Sequence, residues 1–204
     1  MPLPPPEERT LRALGARRRT PGAPKVGEII AQLRTLAKGS EALVAVFDAR
    51  AIAGERHLYS AWAHLGRARG RGETRLRDRG AELALFVSGD DQLPRALEKV
   101  GVTDAAEEFV LVVEKPREPA ELLAGFGLVA DGSVYPRAPT AATLERLGIG
   151  DAERSTVPES AWEGLVLERV ALVELSAPAG RASAGKLLPR SDGRSDGPRA
   201  GVQV

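Results

Sequence analysis

Apolar positions along the chain fall into short runs and helical stripes, separated by polar or glycine-rich breaks. Residues 43–48, LVAVFD, and 108–114, EFVLVVE, are short, apolar and partly β-branched, which predicts two buried strands. Residues 28–37 read as a helix. The clearest helix spans 55–69, where Leu58, Ala61, Trp62, Leu65 and Ala68 recur at helical spacing and form one apolar stripe. Leu76, Gly80, Leu83, Ala84 and Val87 place a second stripe on residues 76–87, ending at Gly89, a residue suited to a helix C-cap. Asp90 or Asp91 is then placed to cap a third helix, with Leu93, Ala96, Leu97 and Val100 inward and Pro94 in the tolerant first turn.

Beyond residue 101 the pattern predicts the strand at 108–114, a short helix at 119–126, and a third strand at 128–129 or 134–135. A short helix follows at 140–147 and a longer one at 158–175. That last segment is apolar on more than one face, because Val166, Leu167, Val170, Ala171, Leu172 and Val173 cannot all point one way. Such a helix is either sandwiched within the fold or covered by a partner. A terminal strand is the competing reading. The order of strand, helices, strand, helix and strand predicts an α/β fold, a small central sheet packed with several helices in a single domain.

With 204 residues, 43% of them hydrophobic, the chain is long enough for one core and hardly for two. The formal charge of +1 does not advertise nucleic acid, but it is unevenly spread. Residues 1–25 hold six basic and two acidic groups and residues 176–204 hold five and two, which leaves the centre net acidic. Residues 1–24, mixing prolines with an arginine cluster, read as a disordered basic extension, and 177–204 as a disordered low-complexity tail. The folded domain is expected over 25–176. The chain has no cysteine, which removes disulfides, thiolate metal sites and cysteine nucleophiles. MPLPPPEERT lacks the apolar stretch of a signal peptide, and no apolar run is long enough to span a bilayer, so a soluble cytoplasmic protein with no membrane contact is expected.

Chemical motifs are few. His57 and His64 lie two helical turns, roughly 10 Å, apart and cannot share a metal ion. GRASAGKL, residues 180–187, has the glycine and lysine spacing of a P-loop, but Leu187 stands where a magnesium-binding Ser or Thr is needed. No pair of carboxylates is placed for acid/base work. No catalytic residue, metal or cofactor is therefore expected. GRARGRGETRLRDR, residues 66–79, reads equally well as a basic rim along phosphates or as a solvated inter-helix loop.

Three segments in order, RHLYSAWAHLGRA, ELALFVSGDDQLPRALEKVGV and VLERVALVELS, resemble the small kinase-binding subunit of the KEOPS complex, the family of the PRPK-binding protein. The resemblance covers roughly residues 43–176. It implies a non-enzymatic accessory subunit that docks on the small atypical kinase/ATPase of a complex installing threonylcarbamoyl on tRNA adenosine. It also implies recruitment of tRNA through its single-stranded CCA acceptor end. On that resemblance the RNA contacts fall on Arg56, Ser88, Gly89 and Gln92, and Val166, Val170, Leu172 and Val173 belong to the kinase interface. Where the family often carries arginine just before the glutamine, this chain has Asp91, so Arg95 and Arg67, with the arginines following it, are the cations placed to compensate. Two other readings compete: a protein-interaction subunit that regulates the kinase without an RNA role, and a small enzyme on an α/β scaffold.

Overall fold

A computed structural model describes residues 10–20, 23–37, 43–115 and 117–176. The elements in chain order are β1 (Leu11–Arg18), α1 (Val26–Ala37), β2 (Val44–Asp48), α2 (Glu55–Gly70), α3 (Arg79–Ser88), α4 (Leu93–Val100), β3 (Glu108–Glu114), α5 (Pro119–Leu122), β4 (Leu128–Ala130), α6 (Ala141–Arg146), α7 (Asp151–Arg154) and α8 (Trp162–Leu175). The strands form an antiparallel sheet in the order β2-β3-β1-β4. The α/β arrangement expected from the sequence is the one adopted, and its third strand lies at Leu128–Ala130.

The continuous apolar run of β3 has a direct cause: both of its faces are covered. Val110 and Val112 point into a core shared with α2, α3, α4 and α8, while Phe109, Leu111 and Val113 point into a second core with α1 and the Leu123–Phe126 turn. With a period of two and helices on each side, every position must be apolar. Strand β2 alternates in the same way, Ala45 and Phe47 to the first core and Val46 to the second.

One expectation needs correction. Residues 11–18, which the prolines and arginines place in a disordered extension, form β1, a central strand paired with β3 from Leu11↔Glu114 to Arg17↔Glu108 and with β4 from Ala16↔Ala130 to Arg18↔Leu128. Two features reconcile so basic a segment with the interior. Leu11, Ala13, Leu14 and Ala16 supply small apolar contacts to the two cores. Arg18, 7% exposed, donates to the carbonyls of Ala106 (2.7 Å), Asp104 (2.9 Å) and Pro24, and its guanidinium sits over the Phe109 ring at 5.3 Å. A buried cation is tolerated when each of its N–H groups finds an acceptor, and here backbone oxygens of two loops supply them. Residues 1–9 and the tail at 177–204, including the P-loop-like 180–187, lie outside the described residues.

Glycine sets two close approaches. At Gly15 a Cβ would stand 2.7 Å from the Asp131 carbonyl and 2.8 Å from the Tyr135 nitrogen, so the missing side chain lets the 131–135 segment cross β1. At Gly80, in the first turn of α3, a Cβ would run into the carbonyl of Val44 on the edge strand β2. Helix α3 thereby lies against that edge. The segment at 158–175 is helical rather than a strand: a short turn, Glu159–Ala161, leads into α8, whose Leu165, Val166, Val170 and Val173 are buried against α2 and α3.

Gly80→Ala should therefore destabilise the protein by roughly 1–3 kcal/mol, since the backbone of β2 or α3 must move to admit a methyl group. Gly66→Ala, on α2 where a Cβ meets nothing within 4 Å, should stabilise by about 0.5–1 kcal/mol. Urea denaturation of the two variants beside the parent chain checks both signs.

Candidate functional site

Two surfaces carry the residues that the sequence singles out: the corner between α3 and α4, and the channel between α2 and α8. At the corner, α3 ends on Ser88, and Gly89 turns the chain at φ 66°, a conformation that favours glycine. The Gly89 N–H donates to the Phe86 carbonyl (3.2 Å) and the Asp90 N–H to that of Leu85 (3.1 Å), closing the helix end. A Cβ at Gly89 would also stand 2.8 Å from Cβ of Arg169 on α8, so the corner sits directly on that helix.

The polar groups of the corner serve it internally. The Ser88 hydroxyl, 1% exposed, donates to the Leu85 carbonyl (2.9 Å) and accepts from the Asp90 N–H (3.1 Å). Ser88 is thus corrected from an RNA contact to part of the turn. Asp90 does not cap α4 either. Gln92 holds the N-cap position, and the Asp90 carboxylate accepts from its backbone N–H (3.0 Å) while pairing with Lys99 (3.2 Å) and Arg95 (3.5 Å). Burial alone would raise the Asp90 pKa, but the Gln92 N–H and the Lys99 ammonium outweigh it and hold the carboxyl below its ordinary range. Asp91 also faces Arg95, at 3.9 Å. Of the predicted contacts here, Gln92 and Arg95 present exposed side chains, and Arg95 does so beside two carboxylates.

The second surface follows from how α2 and α8 pack. Arg56 pairs with Glu163 (3.0 Å) and Arg67 with Glu174 (3.3 Å), two contacts with the same sequence separation of 107. The helices therefore run parallel with a salt bridge at each end, and about 16 Å of helix lies between the bridges. A groove of about 230 Å³ lies there, lined by Arg56, Tyr59, Ser60, Ala63, His64, Arg67 and, from α8, Leu167. None of Ser88, Gly89, Gln92 or Arg95 lines it. Tyr59, Ser60 and Leu167 carry no motif. Ser60 alone has a sequence signal, sharing the helical spacing of Arg56, Ala63 and Arg67 on the polar side of an amphipathic helix.

Of the six arginines in the 66–79 segment, Arg67, Arg69, Arg71 and Arg79 pair with carboxylates, Arg75 donates to the Val173 carbonyl (2.7 Å), and Arg77 is exposed. Glu174 receives His64, Arg67 and Arg71 (2.6 Å); Glu82, fully buried, receives Arg69 (2.6 Å) and the Arg75 N–H (2.7 Å); and Arg79 pairs with Glu114 (2.5 Å). Of the two readings of this segment, the free basic rim does not describe most of it, because Arg67, Arg69, Arg71 and Arg75 tie the end of α2 and the loop after it to α3 and α8. Burial lowers the His64 pKa despite its Glu174 bond, with Arg67 and Arg71 adding to the effect.

The kinase-facing quartet divides. Val166, Val170 and Val173 are 1%, 0% and 2% exposed and belong to the main core, so they are corrected from interface to interior residues. Leu172, at 52%, looks outward, as does Leu175 at 79%. Gly164 and Glu168 continue that exposed line along α8, with Leu167 and Ala171 partly exposed beside it. Among the described residues there is no cluster of potential metal ligands, and no helix is long and apolar enough to cross a membrane. Comparison with protein-family models finds no match, and comparison with curated proteins finds none either.

His57 ties the two surfaces together. It is fully buried, with Nδ1 accepting from the Ala53 N–H (3.1 Å) and Nε2 donating to the Val87 carbonyl (2.9 Å), one residue before the corner. Desolvation pushes its pKa down to about 4 from an ordinary 6.5, the Val87 bond opposing only weakly. The unfolded chain thus binds a proton between pH 6.5 and 4 that the folded chain refuses. Stability that is complete above pH 6.5 should fall by about 3 kcal/mol as pH drops through this window. Denaturation midpoints measured from pH 7 to 4 should show this slope, and His57→Gln should lose that part of it while being less stable throughout.

Proposed function

We propose that the protein acts by binding, as the non-catalytic, cytoplasmic accessory subunit of the KEOPS tRNA threonylcarbamoyladenosine-modification complex that its sequence resembles, and that it docks on the small atypical kinase/ATPase through the outer face of α8. The observation that carries this reading is the apolar line on that face, Leu172 and Leu175 with Leu167 and Ala171 beside them, on a helix whose opposite side already fills the core. Exposed leucines at helical spacing are what a partner covers when it receives a helix in a groove. The acidic and neutralised surroundings of the corner favour protein docking as the principal role.

Recruitment of tRNA by its CCA end is the second reading, and one feature favours it. Tyr59 lies in the α2–α8 groove between the half-exposed guanidiniums of Arg56 and Arg67, the combination of stacking ring and flanking cations that suits a short single strand. Because Glu163 and Glu174 already pair with those cations, binding there would rest on stacking more than on charge.

Both readings are open to direct measurement. Leu172→Glu combined with Leu175→Glu alters only exposed positions, so the fold should persist while kinase affinity falls at least about tenfold. Undiminished association with a folded double variant would remove α8 as the docking face. Binding of full-length tRNA and of the same tRNA trimmed of its CCA end, at two salt concentrations, tests the second reading. A loss on trimming at both salts is expected for acceptor-end recognition, and equal binding would leave protein docking alone.

A further inference from the structure

A separate pocket of about 530 Å³, sharing no residue with the α2–α8 groove, lies beside the C-terminal end of β2 and is lined by Arg50, Arg137 and Arg146 together with Glu108, Thr143 and Glu145. Its three arginines come from separate parts of the chain: the Ala49–Ala51 turn, the segment after Tyr135, and α6. Behind them is Asp48, 0% exposed, whose carboxylate caps the Ala49–Ala51 turn through the Arg50 N–H (3.0 Å).

Asp48 holds two of the guanidiniums by one edge each. Arg50 reaches it through Nε (3.0 Å) and Nη2 (2.7 Å), and Arg146 through Nη2 (3.1 Å), while Nε of Arg146 donates to the Lys99 carbonyl. Arg137 is held similarly, its Nη1 on Glu108 at 2.8 Å, and Glu108 in turn takes Arg17 at 2.9 Å. One buried carboxylate needs one cation for neutrality, yet Asp48 has two. Nη1 of Arg50, Nη1 of Arg146 and Nη2 of Arg137 have no partner among the described residues. All three side chains remain partly open, at 55%, 24% and 35%.

We infer that Arg50, Arg137 and Arg146 form a binding site for a small oxyanion, a phosphate or carboxylate group on a small molecule, with Asp48 and Glu108 fixing the guanidiniums so that their free edges face the pocket. Planar forks anchored on one edge lose little side-chain freedom on taking up a ligand, and the matched geometry of guanidinium and oxyanion gives charge-assisted, often bidentate bonds. Glu145 on the exposed rim limits the charge the site accepts, which favours one oxyanion group over a polyanion.

The test uses the full chain at constant ionic strength, titrated with inorganic phosphate and, separately, with succinate, following thermal stability and amide chemical shifts at residues 48–51 and 137–146. A saturable response to one or both anions is expected, and which anion acts identifies the group recognised. Arg137→Gln, which leaves both Asp48 partners in place, should weaken binding roughly tenfold or more, and Arg50→Gln should act likewise. Absence of a response to either anion overturns the inference, as does a response of equal strength in a folded Arg137→Gln chain, since that would place the anion elsewhere.

Discussion

Everything in this fold hangs on β1 lying between β3 and β4. The seven registered pairs with β3 and three with β4 make one sheet out of what would otherwise be a two-stranded ribbon and an orphan three-residue strand. A two-stranded sheet is marginal in water, whereas four strands offer two apolar faces broad enough to receive helices on both sides. The cost is a strand rich in arginine. Arg18 meets it by spending its guanidinium on the carbonyls of the loops at 23–26 and 103–107, so the cation that seems least suited to the interior fastens the second core shut.

Arginine plays the same part at the other end of the molecule. Four arginines of the run that looks like a nucleic-acid rim are distributed over Glu73, Glu82, Glu114 and Glu174, each carboxylate coming from a different place in the chain. Surface pairs of this kind contribute little singly, but the buried Glu82 and the part-buried Glu174 leave their partners little freedom to turn outward. Along α2, α8 and the α3–α4 corner, what remains available for recognition is therefore mostly apolar and aromatic: the outer leucines of α8, Tyr59, and the polar tip at Gln92.

Much of the architecture is legible from periodicity alone. β2, β3, α2, α3, α4 and α8 stand within a few residues of their expected bounds, because each presents a dense apolar run or a helical stripe, although for α8 that run leaves helix and strand both open. β1 is not legible, since its apolar residues are mostly alanine and glycine and its arginines look solvated until the acceptors of Arg18 are known. For the candidate site, Arg56 and Arg67, both singled out in the sequence, line a groove that the sequence does not predict, because their partners lie 107 residues away and no local pattern announces them. The valines of α8 were ambiguous for a related reason. A helix apolar all round does not say which side faces the core, and only packing against α2 and α3 decides it.

The close seat of Gly80 on Val44 also bears on how the protein keeps to itself. An antiparallel sheet invites a further strand wherever an edge shows unpaired backbone groups, which is the usual route to strand-swapped dimers and fibrils. Here α3 crowds the β2 edge, and the opposite edge, β4, is only three residues long. A sheet closed by a helix on one side and too short on the other has little room to recruit a neighbour, so the side chain missing at position 80 also acts as a guard against self-association.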